Sequence, residues 1–191
     1  MASLGHLAAF GLFQLPRILK YRLLSTCGRV QGRPVVTQPV LCLGAGTISF
    51  GKNVHLGWNP SPFLYSGHMF IAALHESASV EIHDDVAINN NAVLYSLGAG
   101  IAIGERTVIG TGVEIYDSDF HWLDPARRGD PDPPSEPVNI GRNVFIGSNA
   151  RILKGVCVGE NSVVGCGAVV TSSCPANSII AGNPARVVRR L

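Results

Sequence analysis

The chain has 191 residues, 46% hydrophobic and only 15% charged, with 22 glycines and a net charge of +2. This is the composition of a well-filled domain, and the lack of a Lys/Arg run or an interleaved aromatic series points away from nucleic acid. Five cysteines without CxxC spacing point away from a zinc ribbon or a disulfide framework and favour a reducing, cytoplasmic setting.

Residues 1–30 differ in kind from the rest. Leu4, Leu7, Ala8, Leu12, Leu15, Leu19 and Leu23 recur at helical spacing, broken by Pro16, and Arg17, Lys20, Arg22 and Arg29 add positive charge. No Lys or Arg precedes the apolar stretch and no small-residue cleavage motif follows it, so it does not read as a secretory leader. It is also too short and too soon charged to span a bilayer. The first expectation is a helix that caps the open end of the following domain and shields an unpaired strand edge. The second is a peripheral contact with an anionic membrane surface.

From about residue 50 onward, aliphatic or aromatic residues recur every sixth position. Phe50 and Leu56 begin the series; Ile82, Ile88 and Leu94 continue it, then Ile103, Ile109 and Ile115. The longest run is Ile140, Ile146, Ile152, Val158, Val164 and Val170, with a chance probability on the order of 10⁻⁴ per starting frame. Glycine often follows the anchor (Gly51, Gly57, Gly104, Gly110, Gly141, Gly147, Gly159, Gly165). A small or β-branched residue stands four positions after it (Val86, Ala92, Thr107, Val113, Val144, Ala150, Val156, Ser162, Ala168, Cys174). The two residues between are read as free.

A period of six fits neither a helix nor a two-faced strand. It fits a parallel β-helix in which each hexapeptide is one flat side, the anchor points to the axis and coils stack at roughly 4.8 Å. The small residue takes a narrow inward position near the corner, and glycine is expected to permit the turn. The series breaks over residues 57–69, 95–102 and 116–139, and such breaks are loops thrown from corners, where sites are built. The expected domains are thus a helical segment, 1–30, and a β-helix, 31–191, with an inserted loop at about 116–139.

Several residues in these loops invite chemical readings. His121 lies early in the longest insertion and follows Asp117 and Asp119, either of which could hold an imidazole ring or raise its basicity. A lone loop histidine is more often solvated. Asn89, Asn90 and Asn91 either line a site or satisfy backbone amides at a corner. Residues 57–68 carry Trp58, Phe63, Tyr65 and His68, and the insertion carries Trp122, Arg127, Arg128 and five prolines. No P-loop and no GxGxxG after a strand is present, which argues against nucleoside triphosphates and dinucleotides.

The stretch VNIGRNVFIGSNARILKGVCVGENSVVGCGAVVT (138–171), the terminal AGNPARVVRRL (181–191) and YDSDFH (116–121) together resemble the hexapeptide-repeat acyltransferases, which include galactoside, maltose and polysaccharide O-acetyltransferases. The resemblance covers nearly everything after about residue 45. It implies an all-β, left-handed parallel β-helix, a handedness that spacing alone would not suggest because parallel crossovers are nearly always right-handed. It implies a homotrimer, acetyl coenzyme A as donor, no metal, and a glycan or other small-molecule acceptor. His121 matches the family's catalytic histidine, Asn91 or its neighbour Asn89 an acceptor-site asparagine, and Trp122 belongs to the loop on the acceptor side. Phe145, Ser148, Cys166 and Thr171 would border the pantetheine arm, and Arg186 and Arg189 would meet phosphates. Ser172 stands where some relatives carry lysine.

The resemblance implies O-acetylation of a sugar in polysaccharide or lipopolysaccharide biosynthesis, in the cytoplasm or at the inner face of a membrane. An N-acetyltransferase of an amino sugar or antibiotic-type acceptor, and a non-catalytic interaction solenoid, are the alternatives. A metal lyase similar to γ-carbonic anhydrases fits poorly. That family has two ligand histidines five residues apart, and Tyr116 and Ala126 occupy those positions around His121.

Overall fold

Each hexapeptide forms one short strand, and every third strand returns to the same sheet. The computed structural model describes residues 10–191. The first sheet stacks Val30–Gln31, Thr47–Phe50, Ser79–Ile82, Ile101–Ile103, Val138–Ile140 and Cys157–Val158. The second stacks Val35–Val36, His55–Leu56, Ala87–Ile88, Val108–Ile109, Phe145–Ile146, Val163–Val164 and Ser178–Gly182, and the third Val40–Leu43, Met69–Ala73, Val93–Ser96, Glu114–Tyr116, Arg151–Ile152 and Val169–Val170. These strands pair in parallel; Ala185–Arg190 then turns back antiparallel on the second sheet. The result is a three-sided, left-handed parallel β-helix.

The predicted anchors are the core. Phe50, Ile82, Ile103, Ile140 and Val158 stand in register on one sheet. Leu56, Ile88, Ile109, Ile146, Val164 and Ile180 do so on the second, and Ile71, Leu94, Ile115, Ile152 and Val170 on the third. All are buried. Each such side chain contributes about 1.5–3 kcal/mol by leaving water, so the ladder is the main source of stability. The small partners from Val86 to Cys174 are buried as expected. Ser162 is among them, with its hydroxyl donating to Pro175 O at 3.2 Å and accepting from Ser178 N at 3.2 Å.

The corner chemistry differs from the expectation in two respects. Gly141, Gly147 and Gly159 are not where the chain adopts positive φ. They are glycine because a Cβ there would stand 2.6, 2.6 and 2.2 Å from the backbone nitrogens of Glu160, Cys166 and Ala176 in the next coil. The left-handed turn comes three residues after the anchor, at a position read as free: Asn143 (φ 55°), Asn149 (59°), Gly155 (73°), Asn161 (56°) and Gly167 (67°). Asn tolerates this conformation better than other residues with a side chain. Its amide then bonds along the axis, Asn143 Nδ2 donating to Asn161 Oδ1 at 2.9 Å and Asn161 Nδ2 to Asn177 Oδ1 at 3.3 Å.

The breaks in the series are corner loops. Residues 57–68 leave between the second and third sheets; residues 97–100 and 117–137 leave between the third and the first.

At the N-terminal end, a π-helical turn (Phe10–Gln14) leads into α1 (Leu15–Leu24). Leu4, Leu7 and Ala8 lie outside the described residues. Beyond α1, Cys42 N donates to Ser25 Oγ at 2.9 Å and Thr26 N to Cys42 O at 3.0 Å, so residues 25–27 satisfy part of the edge of Val40–Leu43, the terminal strand of its sheet. The helix reaches the body through polar groups. Gln14, fully buried, donates to Thr37 O at 2.9 Å and Leu64 O at 2.8 Å; Arg17 donates to the carbonyls of Leu64 and Gly67. Tyr21 stacks on His68 with ring centres 4.3 Å apart. Burial, then the nearby Arg17 guanidinium, holds the His68 ring below the ordinary histidine pKa.

Candidate functional site

The largest insertion is closed at its neck by Asp117. This side chain is fully buried, and its two oxygens accept from Ser96 Oγ (2.7 Å) and from the backbone nitrogens of Leu97 (2.6 Å), Gly98 (3.3 Å), Ala99 (2.9 Å) and Gly100 (2.8 Å). One carboxylate thereby folds the preceding coil's loop around itself. Glu136 N donates to Asp117 O at 2.8 Å, Ser118 bridges Ser135, and Ser118 Oγ donates to Pro134 O at 3.0 Å, which brings the two ends of the insertion together.

Beneath the neck, Lys154 pairs with Asp119 and Glu136, each at 3.3 Å. Burial pulls the Lys154 ammonium down, but these two carboxylates outweigh it and raise its pKa above the usual lysine value. Asp117 and Asp119 were the expected partners of His121. The Asp117 oxygens face Ser96 and the 97–100 amides, Asp119 Oδ2 faces Lys154, and the hydrogen-bond partner of the His121 ring is the Arg128 carbonyl rather than either carboxylate.

His121 is exposed, and its Nδ1 lies 3.4 Å from the carbonyl of Arg128. A carbonyl only accepts, so this neighbour favours the tautomer with the proton on Nδ1 and leaves the Nε2 lone pair free. Phe120, immediately before it, has φ 58°, an uncommon conformation for a bulky residue. It is held there by Ser118 Oγ, which accepts from its backbone nitrogen at 3.0 Å, and by packing 4.2 Å from Tyr95 and 5.9 Å from Tyr116. Strain of this kind gathers where a side chain has to be aimed. Tyr116 also donates to Glu114 Oε2 at 3.2 Å, and Arg151 pairs with the same carboxylate at 2.8 Å. Burial, then the Glu114 charge, pushes the Tyr116 phenol up to about 12.

The rest of the insertion is internally braced. Trp122 donates through Nε1 to Pro131 O at 3.0 Å, and the Arg127 guanidinium lies 3.5 Å over its ring while also pairing with Asp130 at 3.1 Å. One face of Trp122 and its N–H are therefore used inside the loop. Arg128 donates to Leu123 O at 3.3 Å.

The expected donor-side residues fall into three places. Ser148 and Cys166 each stand two residues beyond a buried anchor, Ile146 and Val164, and form a column at the corner between the second and third sheets. Phe145 lies on the outer face of the second sheet, in one cross-strand row with Val163, Ile179 and Arg189. Phe145, Cys166, Arg186 and Arg189 are exposed. Thr171 follows Val170 at the other corner, from which the His121 insertion leaves two strands earlier.

The three asparagines stand at the same corner as Ser148 and Cys166, and the hydrogen bonds of Asn89 and Asn91 go to Asn90 and Gln38 rather than to the insertion. Asn90, read as one of three equivalents, is the buried member. Its Oδ1 accepts from Trp58 N at 3.0 Å, and its Nδ2 donates to Pro62 O at 2.8 Å and Trp58 O at 3.1 Å. Asn91 has φ 58° and exchanges two bonds with Gln38, at 2.8 and 2.7 Å. Asn89 Oδ1 accepts from Asn90 N at 2.7 Å. Together Gln38 and the asparagines fasten residues 57–68. Ser61 of that loop lies 3.3 Å from Thr111, the residue below Ser148 in the corner column. Among the described residues no three His, Cys, Asp or Glu side chains cluster as a metal site would require.

Residues 137–172 match the bacterial transferase hexapeptide (six repeats) model. The chain is 33% identical over 143 residues to the galactoside O-acetyltransferase of Escherichia coli, an alignment that covers 75% of this chain and 57% of that enzyme. A protein of Saccharomyces cerevisiae named as an acetyltransferase is 38% identical over 60% of this chain and 57% of its own length. The chain thus spans little more than half the length of these relatives. Among solved structures it is similar to a maltose O-acetyltransferase of Clostridium difficile (TM-score 0.56, 26% identity, 90% of this chain and 72% of that one). It is also similar to a hexapeptide-repeat acetyltransferase of Vibrio cholerae (TM-score 0.56, 28% identity, 94% and 82%). With the buried six-residue ladder, the three parallel sheets and the matched repeats all in one chain, the protein belongs to the hexapeptide-repeat acyltransferase family.

Proposed function

We propose that this chain transfers an acetyl group from acetyl coenzyme A to a hydroxyl of a sugar, with His121 as general base, in a homotrimer whose sites lie between adjacent copies. The observation that carries this reading is the division of the site residues. The His121 insertion leaves one corner of the prism, whereas Ser148, Cys166 and the asparagines occupy another, a division that suits a site shared between the loop of one copy and the column of its neighbour.

The residues present suit the donor. The column of small side chains, Thr111, Ser148 and Cys166, leaves room for a thin arm along the axis. The apolar row of Phe145, Val163 and Ile179 ends at Arg189, and the terminal strand exposes Arg186 as well, both suited to phosphate. The Vibrio cholerae protein has been solved in complex with acetyl coenzyme A. When bound, the donor supplies an activated thioester carbonyl and a thiolate that leaves without strong acid assistance.

His121 Nε2 takes the proton of the acceptor hydroxyl as its oxygen attacks that carbonyl, and returns it to the departing sulfur; Nδ1 keeps its own proton beside the Arg128 carbonyl. Asn89 and Asn91 would offer amide donors to the acceptor or the developing oxyanion. Trp122, with one ring face already covered, would present the other at the acceptor side. The galactoside and maltose O-acetyltransferases support a sugar acceptor; polysaccharide or lipopolysaccharide synthesis is the setting that the sequence resemblance implies.

The test is thiol release from acetyl coenzyme A against sugars, sugar nucleotides, oligosaccharides and their amino derivatives. Expected are acceptor-dependent release with a hydroxyl sugar and stabilisation of the protein by about 2.7 kcal/mol at a hundredfold excess of donor over its Kd. Release with amino sugars alone would favour N-acetylation, and neither release nor stabilisation would favour a non-catalytic solenoid.

A further inference from the structure

The N-terminal helix is inside out. Gln14, Arg17, Ile18 and Tyr21 are the turned-in positions, spaced as one helical stripe, and three of the four are polar. The opposite stripe is leucine: Leu12 is 69% exposed, Leu15 47%, Leu19 50% and Leu23 87%, with Phe13 at 61% beside them. A helix whose apolar face only covered the solenoid would be oriented the other way. This one spends buried hydrogen bonds on holding its polar side against residues 37 and 64–67, and it presents its leucines outward.

Charge is divided along the chain in the same sense. Residues 1–75 contain six Lys or Arg and no Asp or Glu, whereas residues 76–191 contain nine basic and thirteen acidic residues. Lys20, Arg22, Arg29 and Arg33 are exposed on α1 and the first coil, the end of the prism against which the helix lies. An outward apolar stripe flanked by unopposed cations matches the interface of an anionic bilayer, in which the leucines enter the acyl boundary and the cations meet phosphate headgroups. Packing the same face against a second copy would bring like charges together. Among the described residues no helix is long and apolar enough to cross a membrane, which is compatible with a segment that lies on one.

We propose that the N-terminal end of the solenoid docks on the surface of an anionic lipid bilayer through the outward leucines of residues 12–23 and the surrounding Lys20, Arg22, Arg29 and Arg33. This goes beyond the transferase reading and stands or falls without it. In the docked state the His121 insertion leaves the prism three strand steps, roughly 14 Å, along the axis from the first strand of its sheet.

The experiment is co-sedimentation of the full chain with phosphatidylcholine vesicles, with and without phosphatidylglycerol, at low and high salt. Expected is binding to the anionic vesicles only, weakened by salt. Leu19→Asp with Leu23→Asp should lower it at least tenfold at unchanged melting temperature, and each of Arg22→Gln, Arg29→Gln and Arg33→Gln should lower it about fivefold. Failure to bind anionic vesicles, or equal binding to both kinds, would overturn the proposal. So would a leucine double variant that dissociates the oligomer while sedimenting like the wild type, because the face would then belong to a contact between copies.

Discussion

Replacing His121 by alanine is expected to lower acetyl transfer by about a thousandfold while leaving donor binding and melting temperature near the wild-type values. Its ring is exposed and makes a single long contact, 3.4 Å to the Arg128 carbonyl, so its loss removes little that holds the fold. In the proposed site the donor lies along residues at another corner of the prism, so stabilisation by acetyl coenzyme A should persist. The pair of measurements is thiol release and thermal shift on the same preparation. Turnover near the wild-type rate would remove His121 from the chemistry. Equal loss of turnover and of donor-induced stabilisation would mean that the loop serves binding rather than proton transfer.

Asp117→Ala should do the opposite in stability. It leaves five donors, four backbone amides and the Ser96 hydroxyl, without the acceptor around which they are folded, and Ser96 and Leu97 are buried. Each buried polar group left unpaired costs about 1–3 kcal/mol, with partial rescue by water for the more exposed members, so a net loss of about 3 kcal/mol or more is expected. Turnover should fall as well, because residues 118–120 run directly from this anchor to His121. Asp117→Asn should rescue little, since its NH₂ group would confront donors that need an acceptor. The check is the melting curve, and an Asp117→Ala protein that melts with the wild type would contradict the structural role assigned to this carboxylate.

The ladder was legible because burial of aliphatic side chains has a fixed period and leaves a direct trace in residue type. Ile140, Ile146 and Ile152 could be assigned inward without coordinates, as could the small residues Ala150 and Ala168. The corner was less legible. Asn143, Asn149 and Asn161 recur just as regularly, but their constraint is a positive φ, which hydrophobic patterning does not reveal. Gly147 and Gly159 attracted the turn assignment because glycine permits turns, when the cause is close approach by the next coil, a contact between residues far apart in sequence.

The site divides in a similar way. His121 stood out because it interrupts the count, whereas the partners of Asp117 and Asp119 depend on where the neighbouring coils pass. Asp117 follows the last anchor before the insertion and answers a Gly-containing loop, residues 97–100, about twenty positions earlier. That pairing of a lone acid with a small-residue loop was the available signal. The leucine spacing of α1 was readable too, but spacing does not say which stripe faces the body. Gln14 and Arg17 settled it through bonds to residues 37, 64 and 67.

The most direct measurement is complementation between two inactive variants. His121→Ala removes the proposed base, and Ser148→Trp fills the corner column of the same chain. Each alone should be inactive. If each site joins the loop of one copy to the column of another, equimolar unfolding and reassembly of the two should restore about a quarter of wild-type thiol release per site. If both elements of a site came from the same copy, every site in the mixture would carry a defect, and the mixture would remain as inactive as its parents.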